Sequence, residues 1–169
     1  METSPKDQVI QLIPDLSHRD KEMVERALAF RARSTVLAII RRPDGKILVD
    51  KGTDPTRDLT FYRAPGGGID FGEHSHDAVV REVMEEMQLE IRAVDTWKIV
   101  ENIFTHKNKL MHEILFLTYC EFVDQSLYDQ EEFLIEEPGR ESTYATWKTL
   151  EEIESQGAVL FPEAMRELF

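Results

Sequence analysis

The feature that most constrains the fold is a run of three glycines at 66–68, followed closely by a helix-forming segment. The preceding segment FYRAP (61–65) predicts a short strand, and the segment from His76 to Gln88 predicts a helix. A glycine-rich turn between a strand and a helix permits positive φ and lets the backbone approach a ligand or a metal closely. The sequence therefore predicts a strand, a tight turn and a helix in direct succession.

The predicted helix has two different faces. At about 100° per residue, Glu82, Glu85 and Glu86 project within one arc, at spacings where side chains are neighbours. The apolar side chains occupy another arc; they are Val79, Val80, Val83, Met84 and Met87. Such a carboxylate cluster is unfavourable alone and becomes favourable around a hard divalent cation such as Mg²⁺. A plain solvated acidic face is the alternative for so short a pattern.

The formal net charge of the 169-residue chain, −13, limits its partners. Binding to extended nucleic acid needs clustered Lys and Arg, so we expect none. A phosphorylated small molecule would have to overcome the general repulsion, and a bound cation is the simplest remedy.

The single cysteine, Cys120, lies in the apolar run ILFLTYCEFV, which predicts a buried, unreactive thiol. One cysteine forms no disulfide within the chain, in keeping with a reducing compartment. The first residues, METSPKDQVIQLIPDLS, do not resemble a signal peptide, and no apolar run approaches the roughly 20 residues of a membrane span. We expect a cytoplasmic protein that does not bind membranes.

The apolar and turn patterns predict an N-terminal arm and helix (1–33), with Ser17 as the helix start, and one larger domain (34–169). In this domain two hairpins are predicted, one from strands at 34–40 and 46–51 around RRPDG, the other from strands at 91–106 and 110–123 around KNK. The remaining predictions are an acidic loop at 124–142, a strand at 143–149 and helices at 150–157 and 161–169. This order indicates a mixed sheet with helices on its faces.

The glycine turn and the acidic helix together resemble a longer pattern, the Nudix box. That pattern reads Gly, five residues, Glu, seven residues, Arg-Glu, an aliphatic residue, any residue, Glu-Glu, any residue, Gly and an aliphatic residue. The chain matches its fixed polar positions with Gly67, Glu73, Arg81, Glu82, Glu85 and Glu86. One position departs, since Gln88 stands where the family usually has Gly, the residue that ends the helix in a left-handed conformation.

The resemblance to Nudix hydrolases implies an α/β (α+β) fold, an α/β/α sandwich with a mixed central β-sheet. It also implies hydrolysis, dependent on Mg²⁺ or Mn²⁺, of a nucleoside diphosphate linked to another moiety. By position in the box, the implied metal ligands are Glu82, Glu85, Glu86 and the carbonyl of Gly67. Arg81 and Glu73 would support and orient these ligands.

The sequence leaves the general base and the substrate open. Glu113 on a strand after the box, Glu136 or Glu137 in the acidic loop, and Glu86 itself are the candidate bases. Four aromatic residues are candidates for stacking a base, and four histidines lie near the predicted cleft; they are Phe61, Tyr62, Phe104, Trp97, His74, His76, His106 and His112. A non-catalytic Nudix-like module that binds a nucleotide is the alternative function, although such a module would be expected to lose box carboxylates. A homodimer is compatible with both.

Overall fold

The computed structural model describes residue 17 and residues 19–23, 32–137, 139 and 141–169. The chain divides into two compact units, Met1–Ala32 and Arg33–Phe169. In the first unit, Ser17 caps a helical turn over 19–23, because its hydroxyl accepts the Asp20 backbone N–H at 3.2 Å. The predicted arm at 1–16 and the continuation of the helix over 24–31 lie outside the described residues.

The second unit is built mainly from strands. The strands are β1 (Arg33–Ile40), β2 (Ile47–Asp54), β3 (Leu59–Arg63), β4 (Ile91–His106), β5 (Lys109–Phe122), β6 (Glu132–Ile135), β7 (Thr143–Lys148) and β8 (Val159–Leu160). The α-helices are α1 (Ser75–Met87) and α2 (Leu150–Glu154), and 3₁₀ helices cover Gln125–Asp129 and Glu163–Leu168. No described helix has the length and apolar character needed to cross a membrane.

The strands form two mixed sheets. The first has the order β1-β5-β4, with β1 parallel and β4 antiparallel to β5. The second has the order β6-β7-β2-β3-β8, in which only the β3–β8 pair is parallel among the described strands. The predicted mixed α+β class is confirmed, with the strands divided between two sheets.

The predicted hairpin around KNK is confirmed. Strands β4 and β5 pair from Ile91 opposite Phe122 to His106 opposite Lys109. The two turn residues, Lys107 and Asn108, have φ values of 48° and 62°. Positive φ at both central residues is the geometry whose twist suits a two-residue hairpin turn.

The predicted hairpin of the first two strands is wrong. Strand β1 pairs in parallel with β5, and only one bridge, from Arg41 to Ile47, links it to β2. The physical reason is burial: residues 35–40 of β1 are all buried, so both faces of this strand need a covering layer. A two-stranded ribbon cannot supply such cover.

Helix α1 packs on one face of the first sheet. Its buried side chains Val79, Val83 and Met87 contact a core cluster that includes Phe122 and Trp147. Met84, predicted on the apolar face, is instead exposed at 38%. Cys120 belongs to the same cluster, and burial raises the pKa of its thiol to about 12, as expected for an unreactive cysteine. A second cluster fills the opposite face of the first sheet.

Helix α1 ends at Met87, and Gln88 follows in the left-handed conformation, with φ 56° and ψ 34°. The Gln88 N–H donates to the Met84 carbonyl at 3.0 Å, which closes the last turn. The chain therefore keeps the helix end of the Nudix box with a residue less suited to it than glycine.

The C-terminal part differs from the prediction in two segments. The predicted loop 124–142 contains a 3₁₀ helix and β6. The predicted helix at 161–169 is a 3₁₀ helix from Glu163 to Leu168, preceded by the short strand β8. The Phe161 N–H donates to the Tyr62 carbonyl at 2.8 Å, so the chain stays paired with β3 up to Pro162 and only then turns into the helix.

Candidate active site

The glycine loop lies directly against β1. The Val36 N–H donates to the Gly67 carbonyl at 2.9 Å, and the Ile69 N–H donates to the Ser34 carbonyl at 3.0 Å. A Cβ at Gly66 (φ +139°) would overlap the Val36 carbonyl oxygen. A Cβ at Gly67 would overlap the Glu82 carboxylate. The second glycine therefore lets a box carboxylate lie on the backbone of the loop.

Arg81 makes hydrogen bonds to three acidic residues of the box and to the glycine loop. Its Nε and Nη2 donate to the two oxygens of Glu73, both at 2.8 Å, and Nη2 also donates to the Gly68 carbonyl at 2.9 Å. Its Nη1 donates to Glu82 at 2.9 Å and to Glu85 at 3.2 Å. The hydrogen bonds from Arg81 lower the pKa of Glu73 to about 2. Arg81 thus links Glu73 to Glu82 and Glu85.

The three glutamates of α1 have different surroundings. The Glu82 side chain is 15% exposed and lies on Gly67, whereas the Glu85 side chain is 60% exposed and contacts Arg81. Glu86 is partly buried, and its backbone carbonyl accepts the Glu136 N–H at 2.8 Å. This last bond holds the segment that follows β6 beside the end of α1.

Glu86 lies among other acids. Burial, followed by the charge of Glu137, raises the pKa of Glu86 to about 8, with smaller contributions from Glu82 and Asp50. Arg63 opposes the rise. Ionisation of the Glu86 carboxylate therefore costs free energy in the fold, because burial and like charges both disfavour the charged form.

A cleft of about 650 Å³ extends from this acidic end between the two sheets. The cleft is lined at this end by three residues whose charges shift the pKa of Glu86, namely Asp50, Arg63 and Glu137. Glu113 also lines it and is 9% exposed, so the strand after the box directs this acid into the cleft as predicted from its alternation. Of the candidate bases, Glu113, Glu137 and Glu86 lie at or beside one end of the cleft.

The structure separates the predicted aromatic and histidine candidates. Phe61, Phe104 and His106 line the cleft. Tyr62 and Trp97 belong to or pack on the second core cluster. Of the other histidines, His76 contacts Thr96 at 3.1 Å, His112 contacts Glu101 at 3.0 Å, and His74 is the N-cap residue of α1.

Asp50, Arg63 and Phe161 are among the cleft residues that the sequence analysis does not single out. Asp50 and Arg63 stand opposite each other on β2 and β3, with a carboxylate-to-guanidinium distance of 3.8 Å. A charged residue within an otherwise apolar strand, as in ILVDKG, was the available signal for Asp50. Phe161 gave no such signal, since the C-terminal segment was interpreted as a helix.

The residues present fit a divalent cation. The described residues contain no ready-made group of three or more His, Cys, Asp or Glu side chains in metal-binding geometry. The donors are nonetheless all oxygens, which Mg²⁺ and Mn²⁺ prefer. The repulsion between Glu86 and the other acids is unfavourable alone, and a cation between Glu82 and Glu86 would relieve it. The close approach of the Glu82 carboxylate to Gly67 brings this carboxylate and the backbone of the glycine loop together at the same place.

Comparison with known proteins agrees with this geometry. The family model described as the NUDIX domain matches residues 31–168. The chain belongs to the Nudix family. The resemblance given by the box is thereby confirmed, and family membership also supports the predicted Nudix-type hydrolase. No curated protein sequence matches the chain significantly.

Several solved structures share the Nudix fold with the chain. A NUDIX hydrolase from Nitrosomonas europaea superposes with a TM-score of 0.56 at 20% identity, over 82% of this chain and 86% of that one. An ADP-ribose pyrophosphatase from Streptococcus suis gives 0.53 at 18% identity, over 82% and 89%. The dihydroneopterin triphosphate pyrophosphohydrolase of E. coli gives 0.52 at 15% identity, over 81% and 93%. At these identities the likeness establishes the fold alone.

Proposed function

We propose that this Nudix protein is a metal-dependent pyrophosphohydrolase that cleaves a nucleoside diphosphate linked to another moiety. The observation that supports the proposal is the position of Glu86, partly buried among further carboxylates at one end of a cleft large enough for a nucleotide. One solved neighbour is named for ADP-ribose, a nucleoside diphosphate derivative, and another for dihydroneopterin triphosphate, and both names are consistent with a small phosphorylated molecule as the partner.

The cation is proposed to be Mg²⁺ or Mn²⁺, held by Glu82, Glu85, Glu86 and the carbonyl of Gly67. When bound, it would neutralise the carboxylates and the diphosphate and make a water more acidic. Arg81 is a positioning residue in this scheme. Its fork between Glu73 and Glu82 holds the Glu82 carboxylate over the glycine loop.

The reaction needs one proton transfer by the protein. The oxygen of a water forms a bond to a phosphorus atom while a phosphoric anhydride P–O bond breaks, and a carboxylate accepts the proton of the water. Glu113 is the proposed base because its side chain lies inside the cleft. Glu86, Glu136 and Glu137 are the alternatives, and they lie together at the end of α1.

A panel of nucleoside diphosphate derivatives with Mg²⁺ or Mn²⁺ tests the proposal. We expect cleavage of at least one compound and a loss of roughly 100-fold or more in Glu86→Gln, about 3 kcal/mol, the size typical of one lost electrostatic contact in a transition state. Glu101→Gln is the matched control, since this exposed acid lies on β4 beside His112. Unchanged cleavage by Glu86→Gln would contradict the assignment of Glu86. Tight nucleotide binding without cleavage of any compound would favour the non-catalytic module.

The other predicted partners follow from the same proposal. A small nucleotide derivative is the proposed partner, and extended nucleic acid and membranes are not. A homodimer and a cytoplasmic location stay predictions from the sequence.

A further inference from the structure

The cleft has an aromatic part next to the Asp50–Arg63 pair of its acidic end. Phe61, Phe104 and Phe161, which we name the aromatic chamber, line it together. The Phe104 and Phe161 rings meet edge to face at 4.7 Å between centroids, and Phe61 and Phe161 lie 6.3 Å apart. Phe61 stands opposite Gly52 across β2 and β3, and a Cβ at Gly52 would overlap its ring. The glycine therefore lets the Phe61 ring rest on the wall of the second sheet.

Two polar atoms on the inner face of the first sheet have no hydrogen-bond partner among the described residues. They are the Thr35 hydroxyl and the Asn102 side-chain nitrogen, both buried and both unsatisfied among the described residues. Thr35 lines the cleft and is 3% exposed. The register places Thr35 opposite Leu115 and Asn102 opposite Glu113, so both share the inner face of the first sheet with Glu113. Buried polar atoms without partners are rare in folded proteins, and a ligand that satisfies them is one explanation.

The distance between the two ends of the cleft suits a nucleotide. From Asp50 at the acidic end, β2 advances two residues, about 7 Å, to Gly52, on which the Phe61 ring lies, and four residues, about 13 Å, to Asp54 at the other end of the cleft. This span is of the order of the length of an extended nucleoside diphosphate. A diphosphate at the acidic end would therefore leave its organic part beside the aromatic chamber.

The chemistry of the chamber selects among organic groups. A flat heteroaromatic ring can stack on the phenylalanines and hydrogen-bond through its edge to Thr35 and Asn102. An isoprenoid chain would leave both polar atoms unsatisfied, and a sugar alone would not use the aromatic faces. A nucleobase uses both features, and it is the heteroaromatic group of the proposed substrate class.

We propose that the aromatic chamber binds the base of the substrate, with the Thr35 hydroxyl and the Asn102 amide as hydrogen-bonding partners of the nucleoside. This inference deepens the proposed function and rests on it for the position of the diphosphate. It makes Phe104 and Thr35 determinants of specificity that lie outside the Nudix box.

Binding measurements with uncleavable ligands test the chamber separately from catalysis. The full chain is titrated calorimetrically, with Mg²⁺, against the α,β-methylene analogues of ADP, GDP, CDP and UDP, and against methylenediphosphonate, which has no nucleoside. We expect the best analogue to bind at least tenfold more tightly than methylenediphosphonate. Phe104→Leu, which keeps apolar volume without the aromatic face, should weaken that analogue about tenfold and leave methylenediphosphonate unchanged.

Thr35→Val is the second variant, because it replaces an unsatisfied hydroxyl by a methyl group and so does not endanger folding. We expect it to weaken the best analogue about threefold to tenfold. Thr118→Val is its matched control. Thr118 is equally buried and unsatisfied, but on β5 it alternates with Leu117 and lies on the side of Phe116 and Cys120, which pack with α1. Its loss should change no affinity.

Each of these measurements can contradict the proposal that the aromatic chamber binds the base. A nucleoside gain below tenfold, or equal effects of Phe104→Leu on both kinds of ligand, would overturn the chamber. So would an unchanged affinity in Thr35→Val, or an equal loss in Thr118→Val. The proposed function fails differently, through absence of cleavage across the substrate panel. If the protein binds the analogues through Phe104 and cleaves no compound of the panel, the base-binding proposal is supported and the proposed hydrolase function is contradicted.

Discussion

Glu86→Gln should stabilise the metal-free protein at alkaline pH while it impairs cleavage. In the fold, burial and the nearby acids raise the pKa of Glu86 from 4.5 to about 8. The folded chain therefore holds this proton more tightly than the unfolded chain between these two pH values, and stability falls as the pH rises through that window. Above pH 8 the penalty is complete, and below pH 4.5 it is absent.

The size of the effect follows from the pKa of Glu86. The difference between 4.5 and about 8, at about 1.4 kcal/mol per pKa unit, sets an upper limit of about 5 kcal/mol. Solvent near the cleft weakens charge interactions, so we expect glutamine to raise the free energy of unfolding by about 1–3 kcal/mol at pH 8.5. At pH 4.5 the gain should vanish.

Urea unfolding of the metal-free protein in a chelator, at pH 4.5 and pH 8.5, measures this difference. Glu85→Gln is the matched control, because the Glu85 side chain is 60% exposed and belongs to the same helix. The Glu85→Gln substitution removes only an exposed ion pair with Arg81, so it should change the free energy of unfolding by less than about 1 kcal/mol at either pH. A Glu86→Gln protein that is less stable than the parent at pH 8.5, or whose gain is the same at both pH values, would refute the electrostatic reasoning.

Three further predictions concern the surroundings of the carboxylates. Gly67→Ala should lower cleavage by roughly 100-fold or more, comparable to the loss of a key contact, because its methyl group would overlap Glu82; steady-state kinetics beside a stability measurement checks this, and normal kinetics would contradict it. Gln88→Gly should raise the free energy of unfolding by about 0.5–1 kcal/mol, since Gln88 has positive φ; urea unfolding would show no gain if the strain is absent. The Glu73–Arg81 pair should contribute about 1–2 kcal/mol to the free energy of unfolding, a value reduced for its partial exposure. This contribution should be fully present above pH 4.5 and should be lost as the pH falls towards about 2. Acid unfolding that is identical in Glu73→Gln and the parent would exclude that contribution.

The local features of the site could be predicted from the sequence. The glycine loop, α1 and the KNK hairpin depend on turn residues and on spacing within short segments, so their patterns are complete in the sequence itself. The box residues belong to this class through the resemblance, which grouped Arg81 with Glu73 and Glu82, and Arg81 donates hydrogen bonds to both.

The features that depend on distant pairing could not be predicted in this way. The parallel pairing of β1 with β5 joins segments some 80 residues apart along the chain, by the register of Arg33 with Glu113, and the local turn signal of RRPDG favoured the wrong partner. The chamber needs Phe61, Phe104 and Phe161 from three separate elements. Nothing in any one of these segments indicates that their rings meet.

Titration of the protein with Mn²⁺, followed by the electron paramagnetic resonance signal of the free ion, tests the central proposal most directly. The account predicts saturable binding that weakens about tenfold or more in Glu82→Gln and in Glu86→Gln, and that Glu101→Gln leaves unchanged. Mn²⁺ binding of equal strength in the parent and in all three variants would contradict the proposal, because Glu82 and Glu86 would then not be ligands of the cation.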